Sequence, residues 1–293
     1  MRNRSLLVVI ALFLTSFIFS GQMTAQGLKV FISIDMEGIT GVVNWEDVSR
    51  SGKDYGLFRR IMTEEANAAI EGALAAGATE ILVRDSHGSA RNILPDLLNE
   101  KALLMRDWSG GPKGMMEGID ETFDAVIFLG YHAKAGTHDA SLDHTSSGSV
   151  VDFSINGVSM PEAGYNALIA GSYNVPVVFV AGDKALCDQV SALFGPVETV
   201  PVKEGVGTAS LTKHPKVTQA MIRKGVEKAL KNMDAHKPFK VDAPYTLVLK
   251  LKDDVQINKG SYYPGAKQTG DWELTYKTDN ILDLLQAFSM MRR

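Results

Sequence analysis

Cysteine is nearly absent from this sequence, since Cys187 is the only one among its 293 residues. A single cysteine excludes an intramolecular disulfide, so the fold must depend on its hydrophobic core or on a bound metal. Cys187 itself lies in the apolar run 184–194, where a buried core position is the simplest interpretation.

Excess charge of either sign is also lacking. The net charge is −4, and no stretch of the chain alternates lysine or arginine with aromatic residues. Both observations argue against a nucleic-acid partner. With 45% hydrophobic and 22% charged residues, the composition is that of a globular enzyme.

The N-terminal residues carry the one long apolar run. Arg2 and Arg4 precede the apolar residues 6–19, and small and polar residues follow at 20–26. This order is typical of a secretory signal peptide, which we place at residues 1–25. The run is short for a membrane span, which needs about 20 residues, although an uncleaved anchor is the alternative. We therefore expect an exported, periplasmic or extracellular protein without stable membrane association after cleavage.

Strand-like and helix-like patterns alternate after residue 27. The spacing predicts strands at 28–34, 80–83, 102–105 and 125–129 and helices at 53–76 and 94–98. Such alternation is typical of an α/β fold in which helices cover both faces of a mostly parallel sheet, giving three layers.

The pattern then changes to an alternating run at 149–155 followed by Asn156-Gly157, which predicts a β-hairpin insertion. A helix at 162–173, a strand at 176–181 and a helix at 184–194 resume the α/β order. Further patterns predict helices at 215–231 and 279–289 and strands at 245–252 and 272–277. We therefore divide the chain into an α/β catalytic domain at 26–200 and a smaller α+β part at 201–293.

Metal-ligand residue types follow three of the predicted strands. Asp35 and Glu37 follow the first, His87 the second, and His132 a later one. The carboxyl ends of parallel strands lie at one edge of a sheet, so these side chains should meet if the strands are neighbours. Two carboxylates at the end of an apolar strand are costly without a cation. Carboxylate with imidazole predicts Zn²⁺, Mn²⁺, Co²⁺ or Fe²⁺.

Nearby residues leave two interpretations each. Glu162 begins a helix, where the helix dipole alone favours a carboxylate. Asp85 could orient the imidazole of His87 or cap the turn after the strand. For Trp45 we favour packing in a core or interface over a place at the mouth of the site. No motif surrounds the remaining three histidines, which we expect to be solvated: His138, His214 and His236.

Five short blocks occur in a fixed order along the chain. They are S-x-D-x-E-G at 33–38, D-S-H-G at 85–88, G-Y-H at 130–132, H-T-S-S at 144–147 and N-G with E-x-G-x-N-A at 156–167. In these blocks the chain resembles the bacterial zinc-dependent D-aminopeptidases typified by the enzyme of a dipeptide transport operon. The resemblance covers residues 28–290.

The resemblance implies a site of two zinc ions and a catalytic residue, His144. It implies that Asp35 bridges the two ions, and that the assembly is a homo-oligomer, a decamer. The five metal ligands that it implies are Asp35, Glu37, His87, His132 and Glu162. Mn²⁺ or Co²⁺ in place of zinc stays open.

The resemblance implies a metal-dependent aminopeptidase, and the predicted signal peptide adds the expectation that it is exported. It would remove an N-terminal residue, expected to be of D configuration such as D-alanine, from short peptides or amides through a metal-activated water. One alternative is a dinuclear metal phosphoesterase. The five blocks contain neither a P-loop nor a pair of arginines, which argues against it. The other is a non-catalytic exported protein that binds a metal or a peptide.

Overall fold

The computed structural model describes residues 27–293, so the predicted signal peptide at 1–25 lies outside the described residues. Within 27–293, none of the helices combines the length and the apolar character needed to cross a membrane.

The strands of the described chain form two sheets. Their bounds are β1 Leu28–Ile34, β2 Ala78–Asp85, β3 Leu103–Met105, β4 Ala125–Tyr131, β5 Val150–Ile155, β6 Val158–Ser159, β7 Val177–Asp183, β8 Glu198–Val206, β9 Ala209–Thr212, β10 Tyr245–Leu251, β11 Lys267–Gly270 and β12 Glu273–Thr278.

The α-helices lie between and after these strands. Their bounds are α1 Trp45–Val48, α2 Tyr55–Ala75, α3 Glu162–Ser172, α4 Lys184–Phe194, α5 Pro215–Lys231, α6 Asp254–Ser261 and α7 Ile281–Met291.

The first sheet has the strand order β3-β2-β1-β4-β7-β8-β9, and every pair in it is parallel except β8 with β9. All residues of β4 and β7 are buried, as expected for parallel strands that are covered on both faces. Helices α2 and α5 cover one face and α3 and α4 contact the other. The predicted α/β fold with a mostly parallel sheet is confirmed.

The second sheet is antiparallel, with the order β11-β12-β10-β5-β6. Its hairpin β5–β6 turns at Asn156 and Gly157, whose φ angles are 51° and 81°, so the hairpin predicted from Asn-Gly is confirmed. β5 pairs with β10, and α7 packs against both this sheet and α3. The sheet thus combines a segment before residue 200 with three strands after it, and the division at residue 200 stays a prediction.

One predicted helix is wrong. Residues 94–98 form a single turn, in which the N–H groups of Leu97 and Leu98 both donate to the carbonyl of Leu94. The helix does not continue because the side-chain Nδ2 of Asn67 donates a hydrogen bond to the carbonyl of Leu97 at 2.8 Å. The apolar spacing in this segment reflects packing of a loop rather than a helix.

The strand order places a topological switch at β1. From β1 the chain proceeds to β2 and β3 on one side, and later to β4, β7 and β8 on the other. In open α/β sheets the carboxyl ends of strands beside such a switch form a crevice. Asp35, His87 and His132 follow β1, β2 and β4, so all three lie at this crevice.

Candidate metal centre

Three carboxylates are buried at the switch point. Asp35, Glu37 and Glu162 are each 3% exposed. The segment after β1 is held against the end of β4, since Asp35 N donates to Leu129 O at 2.8 Å and Gly38 N to Gly130 O at 2.7 Å. This backbone contact directs both Asp35 and Glu37 into the crevice, as their period-2 spacing predicts.

Three imidazoles surround the carboxylates, and each is fixed by one main-chain carbonyl. His87 contacts Val48 O through Nε2, His132 contacts Ala133 O through Nδ1, and His144 contacts Leu142 O through Nδ1, each at 3.0 Å. A carbonyl can only accept a hydrogen bond, so each of these nitrogens carries the hydrogen. In the neutral ring, the form that binds a metal, the other nitrogen then carries the lone pair.

Those other nitrogens all face the carboxylates. His87 Nδ1 lies 2.9 Å from Glu37 Oε2 and 3.2 Å from Asp35 Oδ1. His132 Nε2 lies 3.6 Å from Asp35 Oδ2 and 3.5 Å from Glu162 Oε1. His144 Nε2 lies 3.6 Å from Glu162 Oε1. The sequence-predicted residues are thus brought together in one cluster.

Within this cluster, two groups of side chains have ligand atoms within 4.8 Å of one another. They are Asp35, Glu37 and His132, and His132, Glu162 and His144. His132 belongs to both groups. His87 is held beside the first group by its contacts with Asp35 and Glu37.

The charges of the cluster are strongly coupled. Burial, with the nearby charge of Glu37, raises the pKa of Asp35 to about 7. Burial also opposes the ionisation of Glu37, but the charge of His87 and its hydrogen bond outweigh it and hold the pKa of Glu37 well below its usual range. Against its own burial, His132 has its pKa raised to about 10 by the neighbouring carboxylate of Glu162. Several negative charges share one buried space, which favours a bound cation.

The residues present fit a metal of the zinc type. His132 Nε2 is buried and has no hydrogen-bond partner among the described residues, an arrangement that is costly unless the lone pair is used. Carboxylate oxygens and imidazole nitrogens oriented by main-chain carbonyls are the donor set and the outer partners typical of zinc sites.

Glu162 is more than a carboxylate favoured by a helix dipole. It is the first residue of α3, which follows Pro161, and its side chain turns into the cluster. Its Oε1 accepts a hydrogen bond from Ser146 N at 2.6 Å as well as facing His132 and His144.

The geometry also bears on the alternative interpretations of Asp85 and Trp45. Asp85 accepts from Asn92 N, Asn92 Nδ2 and Ile93 N, at 2.5, 2.7 and 2.8 Å, so it stabilises the loop after β2 and does not orient the imidazole of His87. Trp45 does not pack in a core, so that part of the prediction is wrong, and packing in an interface stays a prediction. Its side chain is 47% exposed and meets the ring of His144 edge-on, with centroids 5.1 Å apart.

Of the histidines expected to be solvated, His138 is exposed and His214 caps α5. His236 is buried, contrary to the prediction, because its Nδ1 is hydrogen-bonded to Pro196 O at 2.9 Å.

A polar network beneath the cluster was not singled out from the sequence. Tyr131 is fully buried, and its hydroxyl lies 2.8 Å from Ser33 Oγ and 3.1 Å from Asn166 Nδ2. Each of the three residues belongs to one of the five sequence blocks, so their place in those blocks was the signal that could have found them. Lys203, whose Nζ donates to the carbonyl of Glu37, lies outside every block and gave no such signal.

A cavity of about 470 Å³ opens onto the cluster, within the range of small-molecule sites. The carboxylates that line it are Asp35, Glu37 and Glu162. Trp45 and Trp108 line it as well, and so do the C-terminal residues of α7 and Arg292, which follows that helix.

Comparisons with known proteins agree on one family. A family model described as D-aminopeptidase matches residues 28–290. The D-aminopeptidase of Bacillus subtilis (strain 168) is 34% identical over 268 residues, which cover 90% of this chain and 96% of that protein. Among solved structures, the chain is similar to the zinc-dependent D-aminopeptidase DppA from Bacillus subtilis, described as a self-compartmentalizing protease. The TM-score is 0.87 and the identity 33%, over 90% of this chain and 96% of the other.

Proposed function

Since this chain belongs to the D-aminopeptidase family of zinc-dependent metallopeptidases, we propose that it removes the N-terminal residue, such as D-alanine, from short peptides. The observation that carries this proposal is the cluster of three carboxylates and three histidines beside the carboxyl ends of β1, β2 and β4, to which α3 contributes Glu162 and the segment between β4 and β5 contributes His144. The D configuration is supported by the family and by the similarity to the Bacillus subtilis enzyme.

Five side chains would hold two zinc ions, as the family resemblance implies, and Mn²⁺ and Co²⁺ suit the same donors. The five are Asp35, Glu37, His87, His132 and Glu162. Zinc bound there would act as a Lewis acid and supply a hydroxide nucleophile near neutral pH.

We propose that His144 transfers a proton in the reaction. Its Nδ1 hydrogen is committed to Leu142 O, so Nε2 is the nitrogen that faces the reacting groups. Its ring stacks on that of His132, with centroids 4.0 Å apart and planes 7° apart, and Trp45 contacts its edge. These two contacts hold the imidazole in one orientation, from which Nε2 could take a proton and return it to the leaving amine.

The cavity limits what can bind. Its volume of about 470 Å³ suits a short peptide and excludes a folded chain. The side-chain carboxylates in its lining all belong to the proposed metal site, so this end of the cavity is where the neutral N-terminal amine of a substrate could bind a metal ion that they hold. Both features support action on the first residue of a small peptide.

Export and assembly belong to the same proposal. Arg2, Arg4 and the apolar run 6–19 support an exported, periplasmic or extracellular enzyme. The description of DppA as self-compartmentalizing supports a homo-oligomer, for which the family resemblance suggests a decamer. Cell fractionation with N-terminal sequencing tests the first, and sedimentation velocity tests the second.

The activity is tested with D- and L-alanyl amides and peptides and with a generic phosphoester. Each is assayed with purified protein supplied separately with Zn²⁺, Mn²⁺ and Co²⁺. We expect metal-dependent release of D-alanine and little release of L-alanine. Hydrolysis of the phosphoester alone would identify a phosphoesterase, and tight zinc binding without any turnover would identify a binding protein; either result contradicts the proposal.

A further inference from the structure

Arg292 lines the same cavity as the metal cluster but belongs to a different part of the fold. It follows the last residue of α7, and its own N–H donates to Phe288 O at 3.2 Å. Its guanidinium carbon lies 5.6 Å from the centroid of the Phe288 ring, and its carbonyl accepts from Gln256 Nε2 at 3.3 Å. The backbone and the stem of this arginine are therefore held in place.

The charge of Arg292 lacks a partner within the described residues. No described carboxylate oxygen lies within ion-pair distance of it. Its Nε is buried and has no hydrogen-bond partner in residues 27–293. A guanidinium N–H without an acceptor is unfavourable, and a ligand that supplied one would relieve this.

The other nearby cations differ from Arg292. Lys113 also lines the cavity, but its Nζ donates to Ile119 O at 2.8 Å and lies 4.8 Å from the Tyr173 ring. Arg293 is exposed. Arg292 is thus the cation of the lining that combines a fixed stem with a buried, unsatisfied donor.

The lining of the cavity therefore combines two binding features. The metal cluster is the part at which the amine of a peptide would bind, as a neutral ligand, and Arg292 offers the planar donor pair that suits a carboxylate. A short unblocked peptide carries both an amine and a carboxylate, separated by about 7 Å for two residues and about 10 Å for three.

We propose that Arg292 binds the C-terminal carboxylate of the substrate, an inference that rests on the proposed function. The enzyme then selects free dipeptides or tripeptides over amides and over longer chains. Arg292 is a specificity residue in this proposal and takes no part in bond cleavage.

The test compares substrates that differ only at the C-terminus. D-alanylglycine and D-alanylglycylglycine are assayed beside their C-terminal amides with zinc-loaded wild type, Arg292→Met and Arg292→Lys. For at least one length, we expect wild type to favour the free acid by about tenfold or more in kcat/KM, as for a hydrogen bond to a charged group. Arg292→Met should lose that preference mainly through KM. Arg292→Lys should recover part of it, because it retains the charge without the planar fork.

Turnover of the amides by Arg292→Met checks that the variant is folded and holds zinc, and we expect it to stay within about twofold of wild type. Arg223→Ala removes an exposed arginine that lies 3.7 Å from Glu71, outside the cavity, and should retain the preference for the acid. An equal loss of kcat/KM on acids and amides in Arg292→Met would overturn the role of Arg292 and leave the proposed function standing. The absence of a preference for the acid in wild type at either length would have the same consequence. No hydrolysis of any of the four by zinc-loaded wild type would instead contradict the proposed function.

Discussion

Lys203 Nζ donates a hydrogen bond to the main-chain carbonyl of Glu37. The same ammonium donates to Val42 O, so one side chain from β8 fixes both ends of the loop 37–42. Lys203 is 2% exposed, and no carboxylate oxygen of the described residues lies within 4.0 Å of its Nζ. Burial lowers its pKa to about 8, against the attraction of nearby carboxylates such as Asp183.

Replacing this lysine should weaken metal binding. Lys203→Met has a similar volume but leaves the carbonyls of Glu37 and Val42 without their donor, so the carboxylate of Glu37 loses its fixed position. We expect zinc affinity to fall by about 10- to 100-fold, as when partners behind a metal ligand are removed. Competition with a chromophoric chelator measures it.

Lys228→Met is the matched control, because Lys228 is exposed and pairs with Glu198 at 2.7 Å far from the cluster. Its zinc affinity should equal that of wild type. Unchanged affinity in Lys203→Met would show that the loop 37–42 keeps its geometry without the ammonium.

The two stacked histidines should respond differently to truncation. His132 lies within 3.6 Å of both Asp35 and Glu162 and belongs to both groups of candidate ligands, so His132→Ala should lose zinc and activity together. His144→Ala should keep zinc and lose about 10²- to 10⁴-fold in kcat, the range for a general acid or base. Zinc content by atomic emission and the rate on D-alanylglycine are measured on the same samples. Zinc loss in His144→Ala would make this residue a ligand, and full activity in His132→Ala would refute the assigned site.

The sequence alone could predict the strand ends of this site because buried parallel strands have a simple pattern. β1 is apolar except for Lys29 and Ser33, and β4 is apolar from Ala125 to Leu129, so the acidic and imidazole residues that follow these strands stand out. The order of the strands in the sheet then brings Asp35, His87 and His132 together. Glu162 could be connected to them only through the family resemblance, since a glutamate at a helix start has a local explanation as well.

Contacts made by long-range packing could not be predicted. Lys203 lies 166 residues from Glu37 along the chain. Its strand, β8, was not predicted because polar residues interrupt its apolar pattern. Trp45 was expected in a core or an interface because aromatic residues usually pack there, whereas the structure places it beside His144. Both cases depend on the path of loops, which hydrophobic periodicity does not describe.

Gly38 should tolerate no side chain. A Cβ at this position would lie 1.8 Å from Tyr131 O, so Gly38→Ala must move either the segment 35–38 or the end of β4, and both carry cluster residues. We expect a loss of about 2 kcal/mol or more in unfolding free energy, typical of overpacking against a rigid neighbour, together with weaker zinc binding. Chemical denaturation and zinc titration measure the two effects.

Gly56→Ala provides the control for that substitution. Gly56 lies in α2, and a Cβ there would meet nothing within 4 Å, so the variant should be stabilised by about 0.5–1 kcal/mol through helix propensity. If Gly38→Ala had the same unfolding free energy as Gly56→Ala, the close approach of Gly38 to Tyr131 O would not limit the side chain at this position.

Glu65 gives the fold a pH dependence that is separate from the metal ligands. It is fully buried in α2, and its Oε1 accepts from Thr40 N at 3.1 Å and from Thr40 Oγ1 at 2.5 Å. Its Oε2 has no hydrogen-bond partner among the described residues. Burial raises the pKa of Glu65 from 4.5 to about 7, although the hydrogen bonds from Thr40 oppose the shift.

Because the folded pKa exceeds the unfolded one, the folded state holds this proton between pH 4.5 and about 7 while the unfolded state releases it. Stability from this group is complete below pH 4.5 and is lost as the pH rises through about 7. Glu65→Gln keeps an acceptor for Thr40 and does not titrate, so relative to wild type it should gain up to about 3 kcal/mol of unfolding free energy between pH 5 and pH 8. Urea unfolding of the zinc-free proteins at both pH values measures the gain. Glu64→Gln, at the exposed neighbouring position, should show none, and an equal response in both variants would mean that Glu65 ionises in the folded protein as readily as in water.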